Sequence, residues 1–128
     1  NPLDSIGPVV SNDELVRIIE TVESTYVSPA VTHYAGAIAR ATRAHPDLRL
    51  GASPRATLQL VRAAKVWAAL DGRAFVIPDD VASLLAPVFA HRLIANRAAA
   101  GGRSAGDVVA GALERIAAAV RVPIAARP

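Results

Sequence analysis

The chain has 128 residues, of which 52% are hydrophobic and 4% aromatic, and its formal net charge is +3 at pH 7. This length is enough for one domain with a hydrophobic core, and a core rich in alanine, valine, leucine and isoleucine favours packed helices over a sheet. The absence of cysteine excludes disulfides and thiolate metal sites, and no apolar run is long enough to span a bilayer.

The first ten residues differ in composition from the rest of the chain. Two prolines and a glycine predict an extended segment over residues 1–10. A first helix is predicted over about Asn12–Ser24, because Ser11 and Glu14 have the spacing of a capping box and apolar residues recur at helical period. These apolar positions are Leu15, Ile18, Ile19 and Val22.

A second helix is predicted from Ser28-Pro29, a cap followed by proline, to about Ala44, since His45 precedes a proline. Its apolar face consists of Val31, Tyr34, Ala35 and Ile38. Residues 47–51 are predicted to be a loop.

A third helix is predicted over about Pro54–Leu70, with Gly72 as its C-terminal stop. Two faces of this helix can be separated by their spacing. The predicted core face holds Leu60, Val61, Ala64, Trp67 and Ala68, and another face holds Arg55, Gln59 and Arg62.

The last third of the chain predicts shorter elements. Residues 75–77 are either a strand fragment or a loop held in the core, and a fourth helix begins at Pro78. Pro87 should break or restart it, which places His91-Arg92-Leu93 on a following helical segment. Residues 98–106 have a flexible composition. A last helix over about residues 107–120 has Val109, Leu113, Ile116 and Val120 facing inward. The fold class is therefore all-α, a small bundle of about five helices.

Several chemistries find no support in the sequence. His33, His45 and His91 lack paired ligand spacing, which indicates surface or capping histidines rather than a metal site. Asp79 and Asp80 fit helix-start acids better than a catalytic carboxylate pair. The phosphate-binding pattern G-x-x-x-x-G-K-[ST] is absent, so this chain alone has no visible means of hydrolysing a nucleotide.

Arg55 is the candidate functional residue. It follows Ser53-Pro54 in the first turn of a helix, where the helix dipole disfavours a cation. One interpretation is a solvated arginine, or one paired with a loop carboxylate such as Asp47. The other is that its planar fork of donors and the free N–H groups of the helix start form an anion site suited to phosphate.

The stretch L-G-A-S-P-R-A at residues 50–56 resembles the sensor-2 motif of MoxR-type AAA+ ATPases. Further stretches fall where the C-terminal lid of that family has them, and the similarity is close over residues 1–95 and loose from residue 98 on. These stretches are N-P-L-D and P-V-V within residues 1–10, Y-V-S at 26–28, R-A-T-R-A-H-P-D at 40–47, P-D-D-V at 78–81 and H-R-L at 91–93.

The resemblance implies a helical lid beside an α/β core that holds ATP with Mg. Arg55 would be the sensor-2 arginine that reaches the γ-phosphate, and Gln59 and Arg62 would lie near the nucleotide or contact the core. Ser53 fits a helix cap better than a ligand contact, and His91 and Arg92, which match the H-R-L element, fit a role in closing the bundle better than one in chemistry. The chain opens without Met, so we expect it to be the lid of a longer ATPase, without catalytic residues of its own.

The implied organisation has three parts. Residues 1–10 lead in from a nucleotide-binding core, residues 11–97 form the lid, and residues 98–128 form a loop, helix and tail packed on it. A lid without its core should expose apolar area at residues 1–10 and on the Arg55 face.

The resemblance also implies partners. These are the core itself, neighbouring subunits of a ring, usually a hexamer, client proteins that are remodelled or matured in a chaperone-like way, and proteins with a von Willebrand-type domain. The implied location is cytoplasmic, without a membrane.

Two alternatives belong to other classes. A helical nucleic-acid-binding module would explain the positive charge, but the arginines are dispersed along the chain rather than grouped in a basic stripe. A stand-alone protein-interaction domain would need no nucleotide.

Overall fold

A computed structural model describes residues 5–124, and this part of the chain contains six α-helices and one small sheet. The predicted all-α class is confirmed. Residues 1–4 of the predicted extended segment and 125–128 of the predicted tail lie outside the described residues. The elements are α1 (Asn12–Ser24), α2 (Pro29–Ala44), β1 (Leu48–Leu50), α3 (Pro54–Leu70), α4 (Pro78–Ser83), α5 (Leu85–Phe89), β2 (Ile94–Ala95) and α6 (Ala105–Ala119), with 3₁₀ turns at Ala90–Arg92 and Arg97–Ala99.

Serine caps set where the long helices begin. Ser11, Ser28, Ser53 and Ser104 each accept a hydrogen bond from a backbone N–H in the first turn of the helix. The predicted starts of α1, α2 and α3 are confirmed. α6 begins at Ala105, earlier than predicted, because Ser104 is its cap and Asp107 completes the capping box from inside the helix.

The core lies between α2, α3, α5 and α6, with Ile38, Leu60 and Phe89 among its largest fully buried side chains. The predicted inward faces of α2 and α6 are buried apart from Val120, which is half-buried. On α3 the prediction for Trp67 is wrong, since its side chain is 50% exposed. The buried line on this helix runs through Leu60, Ala64 and Ala68, and Trp67 is rotated by about 100° from Ala68, to the edge of that face.

The predicted loop over residues 47–51 is wrong over its centre, where β1 forms. β1 pairs antiparallel with β2, with Leu48 opposite Ala95 and Leu50 opposite Ile94 and an irregular register between them. The Asn96 backbone N–H also donates to the carbonyl oxygen of Asp47 at 2.8 Å. The partner strand lies far along the chain, so no local pattern could indicate the pairing.

The connection from α3 to α4 is held by an ion pair. The guanidinium of Arg73 donates to both carboxylate oxygens of the buried Asp80, at 2.8 and 2.6 Å, and Asp80 accepts a further hydrogen bond from the N–H of Ile77. Hydrogen bonds from Arg73 to Asp80 and then to Asp71 raise the pKa of Arg73 above its usual value. The prediction that Asp79 and Asp80 are helix-start acids is confirmed, and Asp80 also serves as a structural counter-ion.

Two further predicted segments take defined forms. Phe75 makes an isolated parallel bridge with Tyr26, and Val76 is buried, so residues 75–77 combine both predicted forms. The helix that starts at Pro78 ends before Pro87, and α5 restarts at Leu85. Within the described part of the chain, no helix is long and apolar enough to cross a membrane.

Candidate anion site at the start of α3

Ser53, Pro54 and Arg55 form the start of α3 as the sequence predicted. The Ser53 hydroxyl accepts a hydrogen bond from the Ala56 N–H at 3.2 Å, Pro54 is the first helical residue, and the Arg55 side chain is exposed. The Ser53 hydroxyl therefore acts as a cap.

The suggested pairing of Arg55 with Asp47 is excluded. The Asp47 carboxylate accepts from the Arg115 guanidinium instead, at 2.5 Å. Among residues 5–124, the Arg55 side chain makes no hydrogen bond and no ion pair. Its guanidinium is thus available to a ligand or to another domain.

The loop before α3 is fixed by the end of α2. The buried Thr42 hydroxyl donates to the Ala39 carbonyl oxygen at 2.7 Å and accepts from the Ala52 N–H at 2.8 Å. Arg43 Nε donates to the Ala52 carbonyl oxygen at 2.7 Å. These contacts set the direction in which α3 starts. Thr42 and Arg43 were not predicted as positioning residues, although they lie in the R-A-T-R-A-H-P-D stretch.

The face of α3 that carries Arg55 continues towards α1. Gln59 is half-buried and Arg62 is exposed on this face. Arg62 borders an apolar groove of about 640 Å³ between α1 and α3, with Ile18, Ile19 and Val66 among its lining residues. The structure therefore brings Arg62 close to α1, while Ser53 and Arg55 lie at the first turn of α3.

A second groove, of about 470 Å³, adjoins the loop before α3. It is lined by Arg43, Arg49, Leu50, Gly51, Ala52, Ser53 and Arg92. Arg92 and His91 are exposed, while Phe89 and Leu93 are buried. The expectation that His91 and Arg92 close the bundle is therefore wrong, because the neighbouring apolar side chains do so. We call this groove, with its three arginines, the arginine groove.

No metal centre accompanies these features among the residues that the structure describes, because no group of three or more His, Asp or Glu side chains could hold an ion. What the α3 start offers chemically is positive charge and hydrogen-bond donors, which suit an anion.

Comparison with known proteins gives a family. The model of the AAA lid domain matches residues 40–111. The chain is 29% identical over 124 residues to the uncharacterized protein YeaC of Bacillus subtilis, covering 97% of this chain and 38% of YeaC. It is 34% identical to the chaperone MoxR1 of Mycobacterium tuberculosis over 67% of this chain and 25% of MoxR1. It is 39% identical to the protein MoxR of Paracoccus denitrificans over 58% of this chain and 26% of that protein.

A solved structure agrees at the level of the fold. The crystal structure of a protein suggested to be an ATPase, from Cytophaga hutchinsonii, superposes with a TM-score of 0.80 over 90% of this chain at 24% identity, and this chain covers 37% of it. The chain thus spans well under half the length of these relatives. Because the family model covers more than half of the residues, the chain belongs to the AAA lid domain family, as a lid of the MoxR type.

Proposed function

We propose that this lid serves a MoxR-type AAA+ ATPase and senses the γ-phosphate of bound ATP through Arg55. The observation that carries the proposal is an exposed arginine without a partner among the described residues, in the first turn of a helix that starts at Ser53-Pro54. A cation there is disfavoured by about 0.3–1 kcal/mol, and a polyphosphate would offset this cost. Arginine also offers a bidentate fork for phosphate oxygens.

The proposed mechanism is a two-state lid. With the γ-phosphate present, Arg55 gains a charge-assisted contact that holds the lid towards the nucleotide-binding core, which would bind Mg and ATP. After hydrolysis the contact is lost and the lid relaxes. The size of this coupling is the difference in affinity of ATP for the two lid positions.

The exposed apolar surface of α1 and α3 supports docking of the core on the side of the molecule that carries Arg55. Helix α1 has no buried residue, and Ile18 and Ile19 are about half exposed. With Val66 and Leu70 of α3 they line grooves between the two helices, and Arg62 of the Arg55 face borders one of them. A core that reaches Arg55 and Arg62 would cover this surface, and such a contact removes apolar area from water. In the entry segment, the expected apolar exposure is present at Ile6, Val9 and Val10.

At the level of the whole protein, we propose that such subunits form a hexameric ring. This ring would use ATP hydrolysis for chaperone-like remodelling or maturation of client proteins. It would act together with proteins that carry a von Willebrand-type domain. Gln59 and Arg62 lie on the Arg55 side of α3 and would contact the core or approach the nucleotide. One relative is named a chaperone, which supports this proposal.

The test is Arg55→Ala in the full-length ATPase. We expect ATP turnover to fall at least tenfold and ring assembly to lose its dependence on ATP, and Arg55→Lys to be impaired as well, since lysine lacks the bidentate fork. Arg121→Ala, at an exposed arginine beyond α6, is the matched control. The proposal is wrong if Arg55→Ala keeps both turnover and assembly at the wild-type level.

A further inference from the structure

The arginine groove gathers charge from three separate elements. Arg43 comes from the end of α2, Arg49 from β1, and Arg92 from the 3₁₀ turn that follows α5. Among residues 5–124, no aspartate or glutamate lines the groove. Positive side chains from three elements, of which that of Arg92 is distant in sequence from the other two, therefore line one groove of about 470 Å³.

The fold fixes the backbone positions from which these arginines extend. Pairing of β1 with β2 brings the chain segment after Arg92 against the strand that carries Arg49. Two hydrogen bonds of Asn96 strengthen this, from its N–H to the Asp47 carbonyl oxygen at 2.8 Å and from its amide to the Pro46 carbonyl oxygen at 3.2 Å. On the third side, Arg43 is anchored by its Nε bond to Ala52.

The arginines of the groove have no carboxylate partner among the described residues, in contrast to two other arginines of the chain. Arg73 is paired with Asp71 and Asp80, and Arg115 with Asp47. Between residues 5 and 124, neither Arg49 nor Arg92 has a carboxylate partner. Like charges that share a concave surface repel one another, and a bound anion would offset this repulsion by attracting each of them.

We infer that the arginine groove is a phosphate-binding subsite next to the α3 start, in which Arg49 and Arg92 donate to phosphate oxygens. Guanidinium groups match phosphate geometry through paired N–H donors. That the phosphates belong to a nucleotide rests on the proposed function; that the groove binds phosphate does not. Arg92 is thereby given a ligand-binding role in place of a packing role.

The experiment uses the 128-residue chain with sodium tripolyphosphate as the probe, titrated by isothermal calorimetry at constant ionic strength. We expect saturable binding that weakens at least tenfold in the double variant Arg49→Gln/Arg92→Gln. Both side chains are exposed, so circular dichroism should show an unchanged fold. Arg121→Gln changes one exposed arginine outside the groove, and we expect its affinity to stay within about twofold of wild type, as one solvated charge acts weakly.

Three results would overturn the inference. The wild-type chain could show no saturable binding of tripolyphosphate, or the double variant could bind it as tightly as wild type. The third is that Arg121→Gln loses as much affinity as the double variant, which would indicate attraction by net charge alone. A fourth is groove-dependent binding of a hexaglutamate peptide without binding of tripolyphosphate, which would make the groove a site for acidic protein segments. Arg55→Ala in the full-length ATPase separates the two proposals, since normal ATP turnover in that variant would refute the sensor role while leaving phosphate binding by Arg49 and Arg92 intact.

Discussion

Gly51 lies at a close approach between α2 and the loop that leads into α3. A Cβ atom added at this position would lie 2.5 Å from the Arg43 backbone nitrogen and 2.6 Å from the Thr42 carbonyl carbon. Both neighbours are backbone atoms, which cannot rotate away. The loop that presents Ser53, Pro54 and Arg55 therefore depends on the missing side chain of one glycine.

We predict that Gly51→Ala destabilises the chain by about 1–3 kcal/mol, the usual cost of forcing atoms into a packed region. Urea denaturation followed by circular dichroism would measure it. Gly36→Ala is the matched control, because Gly36 lies within α2 and its added Cβ would come no closer than 3.5 Å to the Arg40 side chain; we expect no loss there, and a gain of up to about 1 kcal/mol from helix propensity. Equal stability of Gly51→Ala and wild type would contradict the tight approach.

The Arg73–Asp80 pair makes a second prediction for a single residue. Asp80→Ala leaves the Arg73 guanidinium without its main partner and the Ile77 N–H without an acceptor. We expect a loss of about 2–3 kcal/mol, below the value for a fully buried pair because Arg73 is partly exposed. Asp71→Ala removes the exposed partner of the same arginine and should cost less than about 1 kcal/mol. The prediction fails if the two variants have the same midpoint of denaturation.

At the scale of elements, short sequence patterns predicted the features that depend on contacts within one helical turn. Serine caps and N1 prolines act within one turn, so the starts of α2 and α3 could be predicted to the residue. The β1–β2 pairing and the position of Arg92 in a groove each join residues that are distant in the chain, and no local pattern indicates their partners. Arg73 and Asp80 are seven residues apart, but helical period and cap spacing do not indicate their ion pair, because it spans the connection from α3 to α4. Helical periodicity also predicted the apolar face of α1 correctly but not its exposure, because period identifies an apolar face without showing what covers it.

The exposure of α1 predicts a contrast between two leucines. Leu15 on α1 is 47% exposed, whereas Leu113 on α6 is 3% exposed. We expect Leu113→Ala to cost about 2–5 kcal/mol, the range for buried leucines, and Leu15→Ala less than about 1 kcal/mol. Thermal and urea denaturation of the 128-residue chain would compare them. Similar losses in both variants would show that α1 is packed more tightly than the structure has it.

The start of α6 predicts a pH effect of defined sign. Hydrogen bonds from the Ser104 side chain and backbone lower the pKa of Asp107 below its ordinary value of 3.8. A lowered pKa means that the folded state favours the carboxylate, so the contribution of this cap is complete above pH 3.8 and is lost as the pH falls through the lower folded value. An NMR titration of the Asp107 carboxyl should give a pKa under 3.8, and Ser104→Ala should return it towards that value. A wild-type pKa at or above 3.8 would contradict the cap.

At the scale of the whole molecule, the apolar grooves between α1 and α3 lie on the face that the proposed core would cover. Their volumes are about 360 and 640 Å³, and their lining includes Ile18, Val22 and Val66. Leu70 at the end of α3 is 79% exposed. A surface of this kind either is covered by another domain or promotes association between copies.

We therefore predict that the 128-residue chain self-associates at concentrations of roughly 100 μM or more, with Kd values in the range of weak protein contacts. Ile18→Glu/Leu70→Ser should keep it monomeric in sedimentation velocity without a loss of helical content, because Ile18 is half exposed and Leu70 is 79% exposed. Ile124→Ser, at an 87% exposed residue beyond α6, should leave the association unchanged.

In the full-length ATPase, the double variant Ile18→Glu/Leu70→Ser should lower ATP turnover, since the core would lose apolar contact with the lid while Arg55 stays in place. Normal turnover in that variant would show that the core docks on another face, whatever the isolated lid does.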